Sequence, residues 1–184
     1  MERIVTAVEI CRGSRKRKVY INDEFLFSLY PAELSRSGLE EGVPFTDELC
    51  SEVFQEILLP RAKKRVLNLL IAKDRSRKEL CERLSSDGYP PEVAAEAVEY
   101  AEAYHYVDDL RFAVAFLRSK QEEESSRRLA MRLGEKGISR EVIQEAFDTV
   151  REERIELMGD EFEEAEQTAL FRQIRRRTSD PSEL

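Results

Sequence analysis

Two groups of basic side chains are the residues in this sequence best suited to binding chemistry, one near position 64 and one near position 130. Ammonium and guanidinium groups bind phosphates, which makes affinity salt-dependent. They also bind acidic protein surfaces, where they set the association rate and the orientation. Charge alone does not separate these uses from ordinary solvated helix faces. We predict that six of these side chains contact a macromolecular partner: Lys63, Lys64, Arg65, Arg127, Arg128 and Arg132.

No combination of residues in the sequence indicates catalysis. The single histidine, His105, lies between two tyrosines and fits a packed or surface side chain better than a base or ligand. Asp108 and Asp109 lack further acids at metal-binding spacing, so a helix N-cap explains them more simply. A nucleophile elbow, a P-loop and a G-x-G-x-x-G motif are all absent. The residues therefore predict no catalytic, cofactor or metal site, and a protein that is not an enzyme.

The elements that carry the basic residues repeat along the chain. SRKELCERLSSDGYPPEVAAEAV at 76–98 aligns with SSRRLAMRLGEKGISREVIQEAF at 125–147, and Gly88 falls on Gly137. A fixed period of this length is typical of stacked helical units that bury a core only with their neighbours. Such proteins usually present a long surface to a macromolecule, and they rarely enclose a small substrate.

Each repeat is expected to contain three helices. Ser76 and Glu79 form a capping box at the start of the second helix of the first repeat. Gly88 stands where a left-handed residue must end that helix. In the second repeat, Gly137 takes the same place and Ser139 caps the helix that follows.

The region before the repeats mixes strands with helices. Alternating apolar residues over 3–30, with Asn22 and Asp23 between two apolar runs, predict a small β-meander. A helix is expected to start at Thr46, and Pro60 is expected to kink or break it. The predicted fold is mainly α, with tandem three-helix repeats after the meander. The predicted division is as follows: 1–45 β-rich with a short helix, 46–106 linking helix and first repeat, 107–158 second repeat, 159–184 partial or truncated third repeat and tail.

Composition limits the setting in which the chain acts. The chain has 184 residues, of which 37% are charged, and a net charge of −8, which argues against unassisted tight binding to nucleic acid. Three widely spaced cysteines without a C-x-x-C motif indicate a reducing compartment. We expect a cytoplasmic protein, because no signal peptide and no membrane-spanning apolar run is visible.

Several motifs, taken in order, resemble one known family. Tyr-Val-Asp-Asp-Leu-Arg-Phe-Ala at 106–113 resembles a D-x-x-F-A motif, and Ser-Arg-Lys-Glu-Leu-x-x-Arg-Leu at 76–84 is followed by Gly-Tyr at 88–89. Arg-Leu-x-x-Lys-Gly-Ile at 132–138 continues the pattern. Over about 61–155 the chain resembles RecX, the bacterial regulators of the recombinase RecA.

The resemblance implies a function as well as a fold. It implies an elongated, curved stack of three-helix repeats that binds the RecA filament and modulates, usually inhibits, its activity in homologous recombination, DNA repair and the SOS response. We also expect a monomer with no cofactor, no membrane association, and weak or indirect contact with single-stranded DNA. The alternatives are a helical-repeat protein that binds DNA directly and a helical scaffold with another partner.

Overall fold

The computed structural model describes residues 3–120 and 123–178. Within that part the chain is mainly helical, and one small sheet precedes the helices. Its elements appear in the order predicted from the sequence.

The N-terminal sheet is an antiparallel meander of β1 (Val5–Ile10), β2 (Arg17–Ile21) and β3 (Glu24–Leu29). The turn between β2 and β3 places Asn22 at φ 49° and Asp23 at φ 68°. Two successive left-handed residues match the twist of a two-residue hairpin, which side chains of this type tolerate. The predicted meander and its tight turn are confirmed.

Two short helices connect the sheet to the repeats. Helix α1 (Pro31–Ser37) begins at its proline, and Gly38 ends it at φ 66°. Helix α2 (Asp47–Glu52) is capped by Thr46, whose hydroxyl accepts the backbone N–H of Leu49 at 3.2 Å. Local capping rules therefore predict both boundaries correctly.

A kink or a break was predicted at Pro60, and the helix does not break there. The backbone stays helical from α2 through a π-helical segment (Val53–Leu58) into α3 (Leu59–Ala72). At the junction the N–H of Leu59 bonds to the carbonyl of Phe54, five residues earlier. Proline is tolerated in the first turn of a helix, because its missing N–H would be unpaired there anyway. The wider π turn before α3 gives Pro60 that position within a continuous helix.

Helix α3 forms the first three-helix unit with α4 (Arg77–Ser86) and α5 (Pro91–Ala103). The Ser76 hydroxyl accepts the N–H of Glu79 at 3.2 Å and completes the predicted capping box. Gly88 ends the α4 turn at φ 89°, as predicted.

The second unit contains α6 (Asp109–Lys120), α7 (Ser126–Glu135) and the first part of α8 (Arg140–Thr178). Of the two candidate aspartates, Asp108 is the cap of α6, since its carboxylate accepts the N–H of Arg111 at 2.9 Å. Ser139 accepts the N–H of Val142 at 3.3 Å and caps α8 as predicted.

Helix α8 differs from the expectation for the end of the chain. It continues without interruption for 39 residues, across position 159 where the partial or truncated third repeat is predicted to begin. The partial third repeat over 159–184 stays a prediction, and residues 179–184 lie outside the described part of the chain.

Two hydrophobic cores hold these elements. The first core joins the sheet to the linking helices and the first three-helix unit, so packing is continuous between them. The second belongs to the second unit alone. Large side chains that are fully or almost fully buried in the first core are Phe27, Phe45, Leu58, Leu80 and Leu84, and in the second Leu117, Leu129 and Leu133. The mainly α class with tandem three-helix units after a small sheet is confirmed. No helix in the described residues is both long and apolar enough to cross a membrane.

Candidate partner-binding site

A pocket of about 330 Å³ lies where the N-terminal sheet meets the first three-helix unit, and two of the predicted residues lie on its wall. One wall comes from the residue just before β2 and the residue just before α1, and the other comes from α3 and the turn after α4. We call it the basic pocket. It is lined by Lys16, Tyr30, Arg61, Lys64, Arg65, Asn68, Asp87 and Tyr89.

Arg61 is the anchor of the basic pocket. Its guanidinium donates to the Tyr89 hydroxyl at 3.0 Å and to the Ser28 carbonyl at 2.6 Å, and it pairs with Glu33. The charged carbon lies 4.9 Å from the ring centre of Tyr89 and 5.3 Å from that of Tyr30. Cations over aromatic faces are stabilised, more so when water is excluded. Arg61 therefore ties the sheet to the helices and has little freedom to bind a partner.

Lys16 enters the same pocket from the sheet. Its ammonium donates to the backbone carbonyl of Asp87 at 2.7 Å and lies over the rings of Tyr89 and Tyr30 at 5.4 and 5.7 Å. Burial lowers the pKa of Lys16, and the neighbouring charge of Arg61 lowers it further. The sequence analysis missed Lys16, because nothing local links a residue in the turn before β2 to a helix so far along the chain.

The three consecutive residues of the first predicted cluster do not act together. Lys64 and Arg65 line the basic pocket, and the Arg65 guanidinium donates to the Asp87 carboxylate at 2.7 Å. Lys63 points elsewhere, with its ammonium 4.5 Å from the ring centre of Tyr100. Adjacent helical residues lie about 100° apart around the axis, so a run of basic residues must divide between faces. Lys64 is exposed and makes no ion pair within the described residues.

The second predicted cluster is partly neutralised by one carboxylate. Glu124 pairs with Arg132 and, at 3.3 Å, with Arg128, while its own side chain is only 14% exposed. The Arg132 guanidinium also lies 5.0 Å from the ring centre of Phe116. Arg127 is exposed, and no ion pair involves it in the part of the chain described here.

The two three-helix units are joined by polar contacts. The Ser76 hydroxyl donates to the Lys136 carbonyl at 2.7 Å, and the Lys136 ammonium donates to Glu79 at 2.6 Å. Lys78 donates to the carbonyl of Glu135 at 2.9 Å. These bonds fix the end of α7 against the start of α4.

The comparisons with known proteins address the family directly. Residues 62–100 match the family model described as the first three-helix domain of RecX. Residues 108–146 match the model described as the second three-helix domain of RecX. The two matches follow in the order of the two structural units.

The chain belongs to the RecX family.

Relatives named "Regulatory protein RecX" match most of the chain. The protein from Caldanaerobacter subterraneus subsp. tengcongensis is 28% identical over 148 residues, which cover 80% of this chain and 75% of the relative. One from Clostridium botulinum is 22% identical over 150 residues, covering 81% and 71%. One from Clostridioides difficile is 25% identical over 146 residues, covering 78% and 68%.

A solved structure resembles the fold. The crystal structure of regulatory protein RecX aligns with a TM-score of 0.50 and 16% sequence identity, covering 80% of this chain and 73% of that one. At this identity the likeness concerns the fold alone.

The RecX domains contain all six predicted contact residues, three in each. Lys16 lies outside both domains, so the basic pocket combines a RecX domain with the N-terminal sheet. No group of three metal-binding side chains occurs among the described residues of this RecX-family chain.

A row of tyrosines is a second feature that sequence analysis missed. The rings of Tyr100 and Tyr104 lie 4.8 Å apart, and those of Tyr104 and Tyr106 are stacked at 6.3 Å. Tyr104 is 59% exposed. His105 between them adopts φ 57°, which turns the chain out of α5.

Proposed function

We propose that this chain binds the RecA nucleoprotein filament and modulates its recombinase and ATPase activity, with inhibition as the expected direction. It acts in the cytoplasm, in homologous recombination, DNA repair and the SOS response, as a monomer without a cofactor or catalysis of its own. The observation that carries the proposal is the pair of RecX three-helix domains, in order, over 62–100 and 108–146. The relatives are named as regulatory proteins, which supports a role in regulation.

The proposed contacts are basic side chains on both domains. A filament presents the same surface at each protomer, so two stacked domains contact it at two points. The contacts are proposed to be Lys63, Lys64, Arg65, Arg127, Arg128 and Arg132. Of these, Lys64 and Arg127 are exposed and have no ion pair among the described residues, so binding a partner costs them no internal contact.

The test is the single-strand-dependent ATP hydrolysis of RecA with substoichiometric amounts of this protein. Suppression well beyond one RecA protomer per added molecule supports binding on the filament. ATP hydrolysis at the control rate, with RecA active, contradicts the proposal.

A charge-reversal pair tests the residues themselves. Lys64→Glu with Arg127→Glu should weaken the suppression of ATP hydrolysis and leave the helical content unchanged. Lys73→Glu with Arg140→Glu is the matched control, since both residues are exposed and neither has an ion pair among the described residues. Equal suppression by the two double variants would remove Lys64 and Arg127 from the contact surface.

A gel shift without RecA distinguishes direct DNA binding from binding to the RecA filament. The proposed function predicts weak binding to single-stranded DNA by the protein alone. Tight binding that falls steeply with salt would favour a protein that acts on DNA directly.

A further inference from the structure

The basic pocket holds more positive charge than the chain neutralises. Four cationic side chains converge there, from Lys16, Arg61, Lys64 and Arg65. The acids beside them in the described residues are Glu33, paired with Arg61, and Asp87, paired with Arg65. Two cations therefore have no carboxylate of their own.

Those two cations have different surroundings. Lys16 is half-buried and donates to a neutral backbone carbonyl instead of an anion. Lys64 is exposed at the mouth of the pocket. Asp87 compensates them only in part, because Arg65 holds one of its oxygens and Arg83 lies 3.6 Å from the other.

We propose that the basic pocket binds a phosphate group. The two cations without a carboxylate of their own match the charge of a phosphate, which carries about −1.5 to −2 at neutral pH as a monoester. The Asn68 side chain on the same wall can donate a further hydrogen bond. The volume of about 330 Å³ admits a phosphate together with part of the molecule that carries it.

The depressed pKa of Lys16 agrees with this assignment. Burial and the charge of Arg61 disfavour the ammonium, while Asp87 and Glu33 only partly offset them. An anion bound beside Lys16 would favour its charged form and raise its pKa.

The phosphate has two possible sources, a free phosphate or the end or backbone of a nucleic-acid strand. The inference concerns the pocket alone, and it holds whether or not RecA is the partner. All measurements therefore use the full chain without RecA, so failure here is distinct from failure of the filament proposal.

The first measurement is the affinity for inorganic phosphate at low ionic strength. It is obtained from the thermal unfolding midpoint as phosphate is added, with chloride at the same ionic strength as the reference. Lys64→Gln should raise the Kd about tenfold, as expected for one lost charge-assisted hydrogen bond. Lys73→Gln, which removes an exposed lysine outside the pocket, should leave the Kd unchanged. Phosphate that stabilises no more than chloride, or equal Kd values for wild type and Lys64→Gln, would overturn the proposal.

The second measurement identifies the source and uses a short fluorescent single strand with and without a 5′-phosphate. A strand affinity that depends on Lys64 and is competed by inorganic phosphate assigns the site to nucleic acid. Lys64-dependent binding of inorganic phosphate alone assigns it to a free phosphate. Both results support the site, whereas an acidic peptide that binds through Lys64 and is not displaced by phosphate overturns it.

A spectroscopic readout separates a bound phosphate from a general salt effect. In protein labelled with ¹³C-lysine, the titration of Lys16 should move to higher pH when phosphate is present. An unchanged Lys16 titration at saturating phosphate would contradict binding in this pocket.

Discussion

The hydroxyl of Ser76 donates a hydrogen bond to the carbonyl oxygen of Lys136 across 2.7 Å. Ser76 is fully buried, and its hydroxyl oxygen also accepts the N–H of Glu79 in the capping box. One side chain thus completes the start of α4 and the end of α7 together. The two RecX domains are held at a fixed contact by a residue that local sequence rules assign to capping alone.

Replacing Ser76 with alanine should lower the free energy of unfolding by about 1–3 kcal/mol, since a cap and a buried interdomain hydrogen bond are both lost. The equivalent residue in the second domain, Ser125, occupies an N-cap position but makes no side-chain capping bond. Ser125→Ala should therefore cost much less. Urea unfolding of both variants measures the difference, and equal losses would show that the bond to Lys136 adds nothing.

Alanine should destabilise the fold more at the glycines that end α4 and α7 than at a glycine of similar conformation with open space around it. Gly88 (φ 89°) and Gly137 (φ 84°) would each bring an added Cβ within 3 Å of a neighbour, the Ser28 hydroxyl at 2.5 Å and the Lys78 Cβ at 2.6 Å. Gly42 (φ 87°) has nothing within 4 Å of such a Cβ. All three alanine variants incur the left-handed penalty of about 1 kcal/mol. Only Gly88→Ala and Gly137→Ala should lose more than that in thermal or urea unfolding, and a uniform loss would contradict the close packing.

Acid should weaken the contact between the domains through Glu79. Burial raises the pKa of Glu79, but the hydrogen bonds from Lys136 and from the Ser76 backbone outweigh it, so the pKa lies below the usual 4.5. A carboxylate with a lowered pKa stabilises the folded state above the ordinary pKa, and this stabilisation is lost as pH falls through the folded-state value.

The measurement is the urea midpoint of wild type and Glu79→Gln between about pH 6 and pH 3. Below pH 4.5 the wild type should lose more stability than the variant. Lys136→Met should reduce the same acid-dependent loss, because it removes the ion pair from the other side. Parallel curves for all three proteins would rule out a contribution from this pair.

Glu124 should restrain the proposed contact with the filament. Its carboxylate pairs with Arg128 and Arg132, so an anionic partner must compete with it. Glu124→Gln should therefore tighten filament binding several-fold, in line with the gain from removing one competing charge. Glu123→Gln is the control, since it makes the same change of net charge but its ion pair is with Lys120 and not with a proposed contact. The result to look for is a difference in the midpoint of ATPase suppression, and identical midpoints would remove Glu124 from this role.

Much of the fold was predictable, because its decisive signals are local. The capping box at Ser76, the left-handed Gly88 and the hairpin at Asn22 and Asp23 each depend on a few consecutive residues, and each was predicted correctly. The continuous helix through Pro60 was not predicted. Proline rules assume an α-helix on both sides, and the preceding π-helical segment changes that geometry.

The candidate site was less predictable, because it depends on residues distant in sequence. Lys64 and Arg65 share a pocket with Lys16, which lies just before β2, while their neighbour Lys63 faces Tyr100. A run of basic residues in a sequence gives the total charge. It does not show which way each side chain points or which acids inside the protein pair with it. The neutralising role of Glu124 likewise appears only once the helices are packed.

The π-helical segment has a consequence for how this chain tolerates changes in length. A bond that spans five residues instead of four holds one residue more per turn, so Val53–Leu58 is equivalent to a single insertion absorbed inside a helix. Removing one exposed residue there, such as Gln55, would restore ordinary helical spacing and leave the phase between α2 and α3 unchanged, because the wide turn already absorbs the extra residue. A one-residue deletion in the ordinary α-helical part of α3 would instead rotate the parts on either side by about 100°. Val53–Leu58 is therefore the point in this helix where the chain can lose a residue and keep the orientation of the sheet-bearing region against the first RecX domain.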